Sequence, residues 1–317
     1  MNRSKKTLIT ITGVLGKQGS SVAKTLLADG RFAVRGITRR TDTPEARELV
    51  RRGADLVHIP LTLGYKDAFE NAFRGSYGVF LMTPNLPPPA THETALGKEL
   101  ADAAAAAGVR HIVYSSLENV DQITGGRLSA PHFTDKARVE AYIRTLPVQS
   151  SFIYLAFFYT NFMEFYTPYR KDGADTLVFP IYLPEDFKAP FVDPTSATGP
   201  AVLEIFSHPE QYAGASLPVI GDVLSSREIV DAFVAVTGKQ AVYSSAYTRD
   251  ELLSHFPDFA ANEPLVEELC GMTRYAVEYG YYQKTRDLSW YRSINPHALR
   301  WKDFLRATGW QGEKLSF

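Results

Sequence analysis

His132 and Lys136 stand four positions apart in "SAPHFTDKARVEAYI" (129–143), a run that reads as helix. Residues at that spacing share a helix face, so imidazole and ammonium would point the same way. An imidazole can pass a proton at neutral pH, and an ammonium can hold a hydroxyl or an anion. A histidine at a helix start can equally bond backbone or a bound cofactor, and the pair alone does not choose. Ser115 and Ser116 close "RHIVYSS" (110–116), where a hydroxyl can assist chemistry or simply satisfy a strand-end turn. Tyr114, Tyr154 and Tyr159 are further proton donors beside the ends of expected strands.

A second constellation is "TITGVLGKQG", with Gly13, Gly16 and Gly19 spaced G-x-x-G-x-x-G between a strand and a helix. Glycine there permits a tight turn, lets backbone approach a pyrophosphate and lets the helix pack closely on its strand. The helix N-terminus then offers N–H groups and partial positive charge to the phosphates. The next strand ends in "GITRRTD". Arg39 and Arg40 thus occupy the slot where an NAD site places a carboxylate, and a guanidinium fork suits a 2′-phosphate. NADP(H) is the expected cofactor.

The elements that must carry these residues follow from the hydrophobic pattern. Strands are expected at 7–12, 32–38, 54–59, 77–83, 110–116 and 149–155, with helices near 17–29, 44–52, 65–74, 91–107 and 131–146. That alternation specifies an α/β, Rossmann-like, doubly wound parallel sheet. After about residue 156 the rhythm breaks. Asp193 and Pro194 read as a helix start, later helices are expected at 225–237, 248–255 and 263–281, and strands near 216–220 and 240–247. The division drawn is a dinucleotide-binding domain over 1–156 and a smaller α/β cap over 157–317, interleaved with the end of the sheet. "LPPPA" (86–90) reads as a stiff loop.

Composition excludes several classes. The 317 residues carry a net charge of −1, which gives no basic face for nucleic acid or an anionic membrane. The single cysteine, Cys270, rules out a disulfide within the chain, and no apolar run is long enough for a membrane span. The histidines show no metal-ligand spacing, no G-x-S-x-G elbow occurs, and a cytoplasmic protein is expected.

Taken with "YSSLENV", "HFTDK", "FVDPTSATGP" and "LSWYRSINPHALRWKDFL", the chain resembles the NmrA-like family of atypical short-chain dehydrogenase/reductases over nearly its whole length. The resemblance implies that Gly13, Leu15, Gly16, Lys17 and Gln18 line the pyrophosphate and adenosine, and that Arg39 meets the 2′-phosphate with help from Arg40. It places Thr83 and Lys136 at the nicotinamide ribose, and Phe157 and Phe158 beside the nicotinamide. Ordinary short-chain reductases carry Tyr-x-x-x-Lys, and here His132 stands in place of the tyrosine. Ile59-Pro60 and Ala156 also depart from the family pattern. Two activities stay open. One is an NADPH-dependent reductase of a small apolar or aromatic carbonyl, imine or quinone, with His132, Lys136 and Tyr159 as candidate catalytic residues. Its aromatic supply would be Phe157, Phe158, Tyr159, Phe162, Phe165, Phe179 and Tyr182. The other is a non-catalytic NADPH/NADP⁺ sensor acting on a protein partner.

Overall fold

The computed structural model describes residues 6–84, 92–171 and 175–315; the "LPPPA" loop lies outside the described residues. The first half alternates as its pattern demands. Strands β1 (Thr7–Thr12), β2 (Phe32–Thr38), β3 (Asp55–His58), β4 (Gly78–Leu81), β5 (His111–Ser116) and β6 (Gln149–Leu155) are separated by helices. These are α1 (Lys17–Asp29), α2 (Pro44–Arg51), α3 (Lys66–Phe73), α4 (Glu93–Ala106), the short α5 (Val120–Thr124) and α6 (Pro131–Ile143). Every residue of β4 and β5 is buried, as expected of central parallel strands covered on both faces. The edge strand β3 is exposed at both ends and half-buried at its two middle residues.

The second half begins with β7 (Phe157–Phe158), α7 (Asn161–Glu164), β8 (Tyr169–Arg170), β9 (Leu177–Ile181) and β10 (Ala189–Val192). It then enters α8 (Pro194–Ser207), where the Asp193 carboxylate accepts from Thr195 N and Pro194 takes the first turn. β11 (Ser216–Val219) follows, then β12 (Asp222–Leu224), α9 (Ser226–Thr237), β13 (Ala241–Ser245), α10 (Arg249–His255), α11 (Glu263–Tyr279), α12 (Trp290–Ile294) and α13 (Trp301–Thr308). Ser225 and Thr248 close α9 and α10 with reciprocal capping boxes through Glu228 and Glu251.

The main sheet has seven strands in the order β11-β6-β5-β4-β1-β2-β3, all parallel. The chain reverses direction across the sheet between β1 and β4, which is the switch point where such folds bind ligands beyond the strands' carboxyl ends. Helix α8 packs on α1, while α4 packs on both α3 and α6, giving helical layers around the sheet. β11 comes from the second half of the chain and pairs with β6 in register Ser216–Phe152 to Val219–Leu155. Two smaller sheets, β12-β10-β7 and β13-β9-β8, carry the remainder. Their core is aromatic: Trp301 lies among Tyr159, Phe162, Phe304 and Trp310 and donates its indole N–H to Ile229 O at 3.0 Å.

Candidate functional site: a glycine turn and a paired lysine and histidine on one helix

The turn after β1 is built by close backbone approach. Gly13 has φ +61°, and a Cβ on Gly19 would lie 2.2 Å from the Gly13 carbonyl oxygen, so only glycine lets α1 sit this near the turn. Gly16 heads α1 with no side-chain cap. Thr12 joins the ends of β1 and β4, its hydroxyl accepting from Met82 N at 2.8 Å and donating to Met82 O at 3.0 Å. Leu15 packs half-buried against the core, and the Lys17 ammonium pairs with Glu164 of α7.

Gln18, at the second position of α1, holds a buried amide oxygen with no hydrogen-bond partner. A polar atom left so in a helix-start cradle is short of a donor, which the hydroxyls of a ribose would supply. Arg39 and Arg40 are exposed at the end of β2. The Arg39 backbone carbonyl contacts His58 Nε2 at 3.1 Å, and its guanidinium has no hydrogen bond or ion pair among the described residues. Arg40 faces the charge of Glu45 on α2. The glycine cradle, the orphaned Gln18 oxygen and the open Arg39 fork together fit a dinucleotide with a 2′-phosphate.

Lys136 lies at the end of β4, as its neighbours reveal. Its ammonium donates to the Thr83 carbonyl at 3.3 Å and pairs with Glu93, a carboxylate only 3% exposed at the start of α4. The Thr83 hydroxyl donates to Glu93 at 2.5 Å and meets the Tyr114 hydroxyl at 3.0 Å. Sequence reasoning reached Thr83, Tyr114 and Lys136 but missed Glu93. The only signal was an acidic residue in the first turn of the helix after strand four, where the dipole favours it.

His132 has a different partner. Its Nδ1 and its backbone N–H both meet one carboxylate oxygen of Glu268, a residue of α11 that is 3% exposed; the N–H distance is 3.1 Å. The ring also lies edge-on to Phe133 at 4.7 Å. The Nδ1 partner of this helix-start histidine is thus a side chain from the second half of the chain.

The tyrosines separate clearly. Tyr114 is fully buried, and burial followed by the Glu93 charge pushes its hydroxyl well up. Tyr154 donates to Glu140 at 2.6 Å beneath the Arg286 guanidinium, and burial raises it as well. Tyr159 is enclosed by Phe191, Trp301 and Phe304; its hydroxyl has no partner, and burial raises it further. Raised phenols hold their protons tightly. Ser115 and Ser116 are buried, the latter's hydroxyl 3.4 Å from the Leu117 carbonyl.

Phe157 packs against Tyr281, Tyr182 and Phe191, with Phe162 stacked on Tyr182 at 6.2 Å. Phe158 is half-buried, Phe165 is exposed, and Phe179 belongs instead to a cluster with Phe233 and Trp310. Beside the first cluster runs a crevice with about 150 Å³ of unfilled space, lined by Tyr166, Tyr182, Leu252, Leu269, Cys270 and Thr273 among others, too narrow as it stands to admit a water. The Tyr166 and Tyr182 hydroxyls are buried without hydrogen-bond partners. A depression of about 440 Å³ lies at the other end of the sheet, at the starts of β1 and β5, away from the ligand end. Among the described residues no cluster of His, Cys, Asp and Glu could hold a metal, and no helix is long and apolar enough to cross a membrane.

A doubly wound sheet whose glycine turn opens at the switch point defines a dinucleotide-binding α/β protein. Within that class the NmrA-like family model matches residues 5–305, so the chain belongs to the NmrA-like family. It is 32% identical over 259 residues to the NmrA-like family domain-containing oxidoreductase cpsB of Aspergillus campestris, covering 76% of each chain. Among solved structures it is similar to NmrA, a negative transcriptional regulator in complex with NADP (TM-score 0.75, 23% identity, 96% of this chain and 95% of that one). It also resembles the triphenylmethane reductase of Citrobacter sp. complexed with NADP(H) (TM-score 0.73, 16% identity, 94% and 99%).

Proposed function

We propose that this protein is an NADP(H)-dependent reductase of a small apolar or aromatic carbonyl, imine or quinone. The observation that carries the reading is convergence at the carboxyl ends of the strands: the glycine turn after β1, the open Arg39 guanidinium after β2, and Lys136 with Thr83 after β4. Gly13, Leu15, Gly16, Lys17 and Gln18 would border the pyrophosphate and adenosine, Arg39 with Arg40 the 2′-phosphate, Thr83 and Lys136 the nicotinamide ribose, and Phe157 and Phe158 the nicotinamide. When bound, the reduced cofactor supplies a hydride.

The chain's own residues do the rest. Lys136 is held in place by Glu93 and by the carbonyl and hydroxyl of Thr83, so its ammonium need not be ordered when a ribose hydroxyl arrives. His132 is the acid–base candidate we favour, because its Nδ1 is already bonded and its Nε2 is left to exchange a proton. Tyr159, enclosed by aromatic rings, serves this reading as packing. The apolar substrate class draws on the aromatic cluster of Phe157, Phe162 and Tyr182. The oxidoreductase name of the Aspergillus relative lends support.

The test follows NADPH oxidation with a panel of ketones, quinones and imines, alongside cofactor binding. Arg39→Ala should weaken NADPH at least tenfold and NADH hardly at all, since one charge-assisted bond to the 2′-phosphate is worth about 1.5–3 kcal/mol. An equal loss for both cofactors would remove the 2′-phosphate assignment. Tight NADPH binding with no turnover of any substrate would instead support a sensor acting through a protein partner. One feature favours that second reading: Tyr281 and Tyr282 donate to the Leu155 and Tyr154 carbonyls and close over the end of β6.

A further inference from the structure

We propose that Glu268, delivered from the second half of the chain, is the positioning residue that makes His132 a directed proton donor; the inference rests on the reductase reading above. Two donors from His132, the backbone N–H and Nδ1, converge on a single Glu268 oxygen. A carboxylate accepts and does not donate, so Nδ1 must carry the hydrogen and Nε2 becomes the nitrogen that gives or takes a proton. Without Glu268 the neutral ring is free to take either tautomer.

The register of this contact is set by backbone. Gly271, on the same face of α11 one turn beyond Glu268, lies against Ser129, three residues before His132. A Cβ at Gly271 would fall 1.8 Å from the Ser129 carbonyl oxygen, so α11 touches the start of α6 with nothing in between. Phe133 is held from the same side by Tyr275 at 6.0 Å and Tyr281 at 5.6 Å. Lys136 is engaged separately by Glu93. Lys136 and His132 thus each meet a buried carboxylate, delivered by α4 and α11 respectively.

A bound reduced nicotinamide would supply a hydride to the substrate carbon, and the substrate oxygen would then need one proton. That oxygen takes the Nε2 proton of the imidazolium, leaving a neutral ring whose Nδ1–H remains bonded to Glu268. A solvent proton (hydronium) then restores the imidazolium at Nε2, so each turnover would consume one hydride from the cofactor and one proton from solvent.

The experiment compares wild type, Glu268→Ala and Glu268→Gln by ¹⁵N-histidine NMR of the His132 ring, NADPH affinity and turnover. The tautomer measurement needs no substrate. Glu268→Ala should lose the Nδ1–H tautomer and lower kcat about a hundredfold or more, as expected when an orienting carboxylate leaves a catalytic histidine, with NADPH affinity within about twofold of wild type. Glu268→Gln should keep the tautomer, because its oxygen must still face the His132 backbone N–H, and should hold kcat to within about tenfold. A wild-type tautomer or a wild-type kcat in Glu268→Ala overturns the proposal. If Glu268→Ala does not fold, a Glu268→Gln protein that folds but shows the Nε2–H tautomer overturns it equally. Tight NADPH binding without turnover in wild type sinks the reductase reading and the donor role with it, whereas turnover lost only in Glu268→Ala together with the tautomer supports both.

Discussion

His111 shows how a single buried side chain sets a pH limit. The Ser151 hydroxyl donates to Tyr212 O at 2.7 Å, so it must accept from His111 Nε2 at 2.8 Å, and Nδ1 is left buried with no partner. A second proton would place an unanswered cation in the core, and burial accordingly lowers the pKa from 6.5 to about 4. In the unfolded chain the ring protonates near 6.5. Between pH 6.5 and 4 the unfolded state therefore binds the extra proton, and stability falls as pH drops, by up to about 3 kcal/mol from this residue. Denaturant titrations at pH 7.5 and 4.5 should show that slope in wild type and a shallower one in His111→Gln; parallel slopes would discard the account. At this scale the sequence was most readable where chemistry needs a particular residue type, as with Gly13, Gly16, Arg39 and Lys136. It was least readable for Glu268 and Glu118, because nothing local marks which surface-looking carboxylate tertiary packing will bury. Glu118 is the extreme case: it is 2% exposed and accepts from Gln283 and Arg286, residues more than 160 positions away.

Helix α6 is positioned from two sides by the same device. On one side Gly97 of α4 brings that helix against Val139, and on the other Gly271 brings α11 against Ser129. Each glycine lies one turn from the carboxylate its helix delivers, Glu93 to Lys136 and Glu268 to His132. A Cβ at Gly97 would come within 2.4 Å of Val139, so Gly97→Ala should force the helices apart and cost about 1–3 kcal/mol. The displaced Glu93 should also weaken NADPH binding several-fold, readable by calorimetry beside the thermal melt. Destabilisation with unchanged NADPH affinity would show that α4 does not hold Lys136 in place. Element boundaries in the first half follow the expected spans to within a few residues, because strand and helix periods alternate cleanly there. In the second half the helices at 226–237, 249–255 and 263–279 match their patterns. By contrast β7, β8 and α12 escaped, since elements of two to five residues are too short to carry a period.

Over the whole molecule, the two halves are joined by a seam of polar bonds made to the carboxyl end of the main sheet. Tyr281 and Tyr282 bond carbonyls of β6, Gln283 and Arg286 saturate Glu118, and Glu268 holds His132. Burial opposes the Arg286 charge, but the Glu118 hydrogen bonds and neighbouring charges outweigh it and raise the guanidinium pKa. The sheet itself crosses the seam, because β11 covers the outer edge of β6. During synthesis, a nascent chain that has just released residue 156 has made β6 but nothing to pair with its free edge. At about 5–20 residues per second, several seconds pass before β11 emerges, and an uncovered, apolar parallel edge invites association with other chains. A 6–220 fragment, which keeps β11 on β6, should therefore scatter less light than a 6–156 fragment, and equal scattering of the two would show that the β6 edge does not drive association. The strand that completes the sheet thus also sets how long the growing chain carries an open edge.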